Sequence, residues 1–261
     1  MGPGRRILVG ATGAVVLALA GCGGPTSGPA TGELRAATGA SPTCSVPQRL
    51  RGVEVEQLPV GADKVVALTF DAGANADAVD PVLSTLADRR APGTFFLTGA
   101  FVQAFPKKAA RIGAHHVIGN HTDTHPDLTT RTDRQVRRQV RTAETKILAA
   151  TGQDPRRFFR FPYGARTPHL VALLNQLCYV PFRWTVDTLG WKGTSGGQSV
   201  DSVVARVVAG EQPGEVVLMH VGSNPDDGST LDADALPRII HRLRADGYRL
   251  VRLSRVLAAA P

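Results

Sequence analysis

Several signatures are missing from this chain, and each absence excludes something. No Gly-x-Gly-x-x-Gly follows an apolar strand, so dinucleotide binding has no support. No segment repeats at the periods of solenoids or propellers. No run of five or more Lys or Arg occurs. A nucleic-acid partner is therefore not expected, although the net charge is +8. That charge suits an anionic polymer or surface instead, and the excess of Arg over Lys reads as coding preference. Cysteine is scarce, with three residues at positions 22, 44 and 178. What remains is an ordinary globular balance of 43% hydrophobic and 20% charged residues over 261 positions. That length allows one large domain or two small ones, and a domain of ~200 residues buries an ample core.

The N-terminus is specific. Arg5 and Arg6 precede an apolar, small-residue stretch, Ile7 to Ala20, which is too short to cross a bilayer comfortably. A basic start, a short apolar core and a small-residue exit describe an export signal. Its end, Leu19-Ala20-Gly21-Cys22, resembles the lipobox of bacterial lipoproteins. The resemblance implies a signal peptide over 1–21 and a lipid anchor on Cys22. It places the protein at the extracytoplasmic face of a bacterial cell membrane. Residues 22–47 are rich in Gly, Pro, Ser, Thr and Ala and read as a flexible tether. One domain is expected over 48–261, with its core at about 64–254. Outside the cytoplasm Cys44 and Cys178 could pair, a matter that spacing alone leaves open.

From Lys64 onward the pattern alternates. Apolar strands are predicted near Val65–Phe70, Gly93–Leu97, Val117–Gly119, Phe158–Phe161, Phe182–Val186, Val216–Met219 and Tyr248–Val251. Helical periodicity fills Asp77–Arg89, Gly99–Ile112, Asp133–Ala150, Pro168–Leu177, Val200–Val208 and Asp234–Asp246. Asp77, Thr132, Thr167 and Ser199 stand where helix caps belong. Such alternation predicts an α/β fold with a parallel sheet and right-handed crossovers. A closed or nearly closed barrel and an open doubly wound sheet both fit.

The polar residues that end the strands point to chemistry. Asp71 ends the first and His121 and His125 follow the third. Arg160 and Tyr163 follow the fourth, Asp187 and Trp191 the fifth, and His220 ends the sixth. In parallel barrels that rim carries the active site. Two His four apart on a turn can grip one ion. Arg160 needs a carboxylate, which Asp71 or Asp187 could supply. A carboxylate beside His220, such as Asp187, would make it a proton donor. His115, His116, His169 and His241 read as structural or surface residues.

Five ordered motifs carry a resemblance to the polysaccharide deacetylases of the NodB-homology group, carbohydrate esterase family four. They are Thr69-Phe70-Asp71-Ala72-Gly73, His121-Thr122-Asp123-Thr124-His125, Arg160-Phe161-Pro162-Tyr163-Gly164, Asp187 through Trp191, and Leu218-Met219-His220. The resemblance covers about Lys64 to Ser254. It implies a distorted (β/α)7 barrel and removal of acetyl from N-acetylated sugars with the help of a divalent metal, zinc foremost. It implies Asp71 as base, His121 and His125 as metal ligands, and Arg160 as the residue that orients the base. Asp187 is implied as the partner that tunes the acid, His220. The resemblance also implies that Tyr163, Trp191 and Leu218 line the groove and that Tyr163 offers its backbone N–H.

Two positions depart from the family pattern. Ala72 stands where a second Asp usually ligates metal, and Gly190 where a second Asp is common in the fourth motif. Asn75, Asp77, Asp123 or Asp71 itself could supply a third ligand. The expected partners are a glycan, peptidoglycan or a chitin-like polymer first, and the membrane through the anchor; the expected state is a monomer. An O-acetyl esterase acting on xylan and a glycan-binding lipoprotein without catalysis are the alternatives.

Overall fold

The computed structural model of the chain describes residues 46–258. The signal segment, Cys22, Cys44 and nearly all of the tether lie outside the described residues. Among the described residues no helix is long and apolar enough to cross a membrane.

The organising element is β1 (Val65–Ala72), every residue of which is buried. Its alternation divides two apolar layers. Val66, Leu68, Phe70 and Ala72 pack in one cluster with helix residues such as Val82, Val203 and Leu236. Val65 and Ala67 belong to another, with Phe96, Val180, Phe182 and Val216. A strand shows successive side chains to opposite faces. Thr69 and Asp71 therefore share the inward face of Val65 and Ala67, while Ala72 looks out at the helices.

Around it stand β2 (Thr94–Leu97), β3 (Val117–Asn120), β4 (Arg157–Phe159), β5 (Tyr179–Pro181), β6 (Val186–Asp187), β7 (Glu215–His220) and β8 (Arg249–Leu250). All pairings are parallel, and the order is β5-β4-β3-β2-β1-β7-β6, with β8 also on β1. The result is a parallel sheet curled into a distorted barrel. One predicted strand, Phe182–Val186, is resolved differently. The chain is extended from Tyr179 but changes neighbour: β5 bonds β4, and a few residues later β6 bonds β7. A single bent segment thus spans the seam between the two ends of the sheet.

The helices are α1 (Val79–Asp88), α2 (Gly99–Ala104), α3 (Pro106–His115), α4 (Asp133–Thr151), α5 (Pro168–Gln176), α6 (Val200–Ala209), α7 (Leu231–Ala245) and the short α8 (Arg255–Ala258). The helix expected over Gly99–Ile112 is two, because Pro106 has no N–H to continue the first and opens the second. Thr132, Thr167 and Ser199 cap α4, α5 and α6 through their side chains. Asp77 does not cap α1; Ala78 holds that position, and the Asp77 carboxylate accepts from Ser223 Oγ instead. α7 starts at Leu231, earlier than the periodicity suggested, and this places Asp232 in its first turn. Cys178 is disulfide-bonded.

Candidate active site

Asp71 and Arg160 form the buried centre. Arg160 has no solvent exposure, and each of its guanidinium nitrogens is engaged. Nη1 donates to Asp71 Oδ1 at 2.8 Å. Nη2 donates to Thr69 Oγ1 at 2.9 Å and to the Arg183 carbonyl at 3.0 Å, and Nε to the Phe182 carbonyl at 3.2 Å. The guanidinium also lies over the Phe96 ring, 4.2 Å from its centre. The carboxylate partner of Arg160 is therefore Asp71, not Asp187. Burial by itself would raise the Asp71 pKa, but Arg160, with His121 and His220 behind it, outweighs burial and holds the carboxyl below its usual range.

The His turn follows β3. His121 Nδ1–H donates to the Arg160 carbonyl at 2.8 Å. A carbonyl only accepts, so the proton sits on Nδ1 and Nε2 keeps its lone pair. That Nε2 stands 3.0 Å from His125 Nε2 and 3.4 Å from Asp71 Oδ2. Burial depresses the pKa of His121, and it brings His125 down to about 4, with His121 adding to the effect. Both imidazoles are neutral at physiological pH.

A chain of hydrogen bonds holds this turn. Tyr179 Oη accepts from Asn120 Nδ2, Asn120 Oδ1 accepts from Thr122 N, and Thr122 Oγ1 accepts from His125 N. From α4, Gln139 Oε1 accepts from both Asp123 N and Thr124 N. Asn120 directly precedes the second motif; Gln139 carries no sequence signal. Thr122 (φ 68°), His125 (φ 57°), Tyr163 (φ 59°) and Leu189 (φ 58°) all hold left-handed backbone, which non-glycine residues adopt at a cost. All four flank the rim.

His220 ends β7, and its Cα is paired in register with that of Asp71 on β1. Its side chain is 28% exposed. Asp187 acts on His220 through charge, while its Oδ1 accepts from Leu189 N at 2.9 Å. The carboxylate next to His220 belongs to Asp232. Enclosure by the protein lowers the His220 pKa, but Asp232, through contact and charge, then Asp71, then Asp187, carry it above the usual imidazole range. Sequence reasoning misses Asp232 because it lies in a different helix, far along the chain from the fourth motif.

Ala72 packs in the helix-facing core. Asn75 and Asp77 are both taken up by Ser223: Asn75 Oδ1 accepts from Ser223 N at 2.8 Å and its Nδ2 donates to Ser223 O at 3.0 Å. Asp123 Oδ1 accepts from Lys146 Nζ at 2.8 Å and lies against Gly99. Of the four candidates for a third ligand, Asp71 is the one that stands beside the imidazoles. Among the described residues no group of three or more His, Cys, Asp or Glu forms a ready-made metal cage.

The walls are aromatic. Tyr163, 71% exposed, meets His125 edge-on at 4.6 Å between ring centres, and Trp191, 47% exposed, meets His220 at 6.4 Å. Leu218 is buried on the same strand face as His220. A cavity of about 690 Å³ exists elsewhere, at the opposite ends of β2 and β3 beside Pro92 and His116, and no site residue lines it. His116 accepts there from Gly93 N, a structural role.

Comparison with known proteins points to one family. The polysaccharide deacetylase family model matches residues 60–182. A chitooligosaccharide deacetylase of Sinorhizobium fredii is 35% identical over 191 residues, covering 70% of this chain and 87% of the relative. A peptidoglycan-N-acetylglucosamine deacetylase of Bacillus cereus is 34% identical over 189 residues, 72% of this chain and 66% of that protein. Among solved structures, the peptidoglycan N-acetylglucosamine deacetylase Bc1960 superposes with a TM-score of 0.72 at 31% identity, over 79% of this chain and 94% of that one. BA3943 of Bacillus anthracis, described as a pseudoenzyme of carbohydrate esterase family four, superposes at 0.67 with 29% identity, over 75% and 66%. The chain belongs to the polysaccharide deacetylase family, whose deacetylase members are hydrolases of carbon–nitrogen bonds.

Proposed function

We propose that the protein removes acetyl groups from N-acetylated sugars of a polysaccharide, peptidoglycan or a chitin-like glycan, outside the cytoplasmic membrane. The observation that carries this reading is the Asp71–His220 pair. Two titratable groups sit side by side on adjacent strands, and their surroundings drive their pKa values apart. That is how one site keeps a base ionised and an acid protonated at the same pH. Asp71, held by Arg160, takes the proton of the attacking water. His220 gives a proton to the departing sugar nitrogen, without which an amine leaves poorly. Tyr163 and Trp191 offer apolar faces against which a sugar ring can lie.

The family is generally metal-dependent. The donors here fit a divalent cation: two neutral imidazoles converge, and the His121 lone pair faces the electron-rich Asp71 Oδ2 across 3.4 Å, an arrangement a cation relieves. His121 and His125 would hold the ion, with Asp71 beside them. A bound metal supplies Lewis-acid polarisation of the acetyl carbonyl and acidifies water.

One specific observation favours a second reading, a glycan-binding protein without catalysis. Ala72 supplies no ligand, and catalytic zinc usually keeps three protein ligands. The deciding experiment offers the full chain in detergent peptidoglycan, N-acetylglucosamine oligomers and acetylated xylan, with and without chelator. Acetate from the N-acetylated substrates, abolished by chelator, is expected. Glycan binding without acetate from any substrate would establish the second reading, and acetate from xylan alone would make it an O-acetyl esterase. The lipid anchor at Cys22 is part of this proposal, supported by the sequence at 19–22. A Cys22→Ser variant should leave the membrane fraction; full retention there would refute the anchor.

A further inference from the structure

We infer that Asp232 is the positioning residue of His220, and that the bare Gly190 exists to make room for its carboxylate. The inference rests on the proposed role of His220 as proton donor and adds a residue to it.

Asp232 is 4% exposed, yet it is a carboxylate in the first turn of α7, where most such groups cap the helix in water. Here it spans two strand ends instead. Oδ1 accepts from Thr188 Oγ1 at 2.6 Å, in the loop after β6. Oδ2 accepts from the backbone N of His220 at 2.8 Å and lies 3.5 Å from His220 Nδ1. That Nδ1 is shielded from solvent and makes no shorter polar contact, so the Asp232 carboxylate is the acceptor placed to orient an Nδ1–H. An imidazole that keeps its proton on Nδ1 presents Nε2 to the groove.

Gly190 gives the second, independent observation. Its backbone is not left-handed, so conformation does not demand glycine there. Space does. A Cβ at position 190 would collide with Oδ1 of Asp232 and come within 2.6 Å of its Cγ. The three atoms nearest that position all belong to Asp232, the third being its backbone N at 3.1 Å. The volume next to His220 therefore holds one acidic side chain, which can enter from position 190 or from position 232. This chain fills it from 232.

The test is a positional exchange in the full chain, using Asp232→Ala, Asp232→Asn, Gly190→Asp and the double variant Gly190→Asp/Asp232→Ala. Acetate release gives kcat and KM, and nitrogen-15 NMR on the alkaline side of the His220 titration reports which nitrogen of the neutral ring carries the proton. Asp232→Ala and Asp232→Asn should lower kcat at least about tenfold, part of the 10²–10⁴ that a general acid contributes, with KM within about twofold. The Nδ1–H preference of His220 should weaken in both. Gly190→Asp alone should be the least stable variant, and the double variant should regain both kcat and the Nδ1–H signature. Unchanged kcat and tautomer in folded Asp232→Asn would overturn the inference. So would a folded double variant no better than Asp232→Ala. If the wild type releases no acetate, the proposed reaction fails, and the NMR comparison still decides the role of Asp232.

Discussion

Asp71 and His220 lie opposite one another on β1 and β7, and each helps to set the other's ionisation. Asp71 is held charged chiefly by Arg160; His220 is held protonated chiefly by Asp232. The site thus has one acid and one base, each with its own buried partner.

The pH–rate profile should be a broad bell. Activity needs Asp71 ionised and His220 protonated. The Asp71 pKa is lowered, so the acid limb falls below the ordinary carboxylate range. The His220 pKa is raised, so the alkaline limb lies above the ordinary imidazole value of 6.5. Acetate release measured as kcat/KM against pH reports both limbs. An alkaline limb below the ordinary imidazole value would contradict this assignment. Asp71→Asn should lose at least about 10²-fold in kcat while its circular dichroism is unchanged.

Arg160→Ala should be severely destabilising, because it leaves Asp71 charged and buried without its main partner. Removing one partner of a buried pair costs about 3–5 kcal/mol. Arg160→Lys should recover only part of that, since an ammonium cannot reproduce the fork that reaches Asp71, Thr69 and two backbone carbonyls. Urea unfolding midpoints of the two variants measure the difference.

Asn120→Ala should loosen the His turn without touching any expected ligand. It breaks the bonds from Asn120 to Tyr179, the Val140 carbonyl and Thr122 N, all buried. A loss of about 1–3 kcal/mol in stability follows from unsatisfied buried groups. Zinc affinity by calorimetry should fall with it; unchanged affinity would mean that the turn holds its shape by itself.

Glu215 should make the fold lose stability as pH rises towards about 8. It is fully buried at the start of β7, and neither carboxyl oxygen has a hydrogen-bond partner. Burial, with Glu211 nearby, pushes its pKa up to about 8 from 4.5. A group whose pKa is raised on folding contributes its stability below the unfolded value and loses it as pH rises through the folded one. The Glu215 contribution should therefore decline between about pH 4.5 and about pH 8, by roughly 1.4 kcal/mol for each pH unit crossed. Glu215→Gln should flatten that decline in thermal melts taken across the range.

Much of the fold and site was legible because parallel strands are apolar runs and their C-terminal ends collect polar residues. Val65–Phe70 followed by Asp71, and Glu215–Met219 followed by His220, each state a strand and what it delivers. Arg160, His121 and His125 were legible for the same reason. The sequence by itself determined the order of strands and helices, the α/β class, and which residues reach the rim. Tertiary structure alone decided which of them meet. Side-chain parity along β1 sends Asp71 inward and Ala72 out to the helices. The seam splits one extended segment between two neighbours. Ser223 takes up Asn75 and Asp77, and α7 brings Asp232 into contact with His220, closer than Asp187. Periodicity is local and shows in adjacent residues. Pairings between groups far apart in the chain follow from how the helices pack on the sheet, and one strand or one helix carries no record of that.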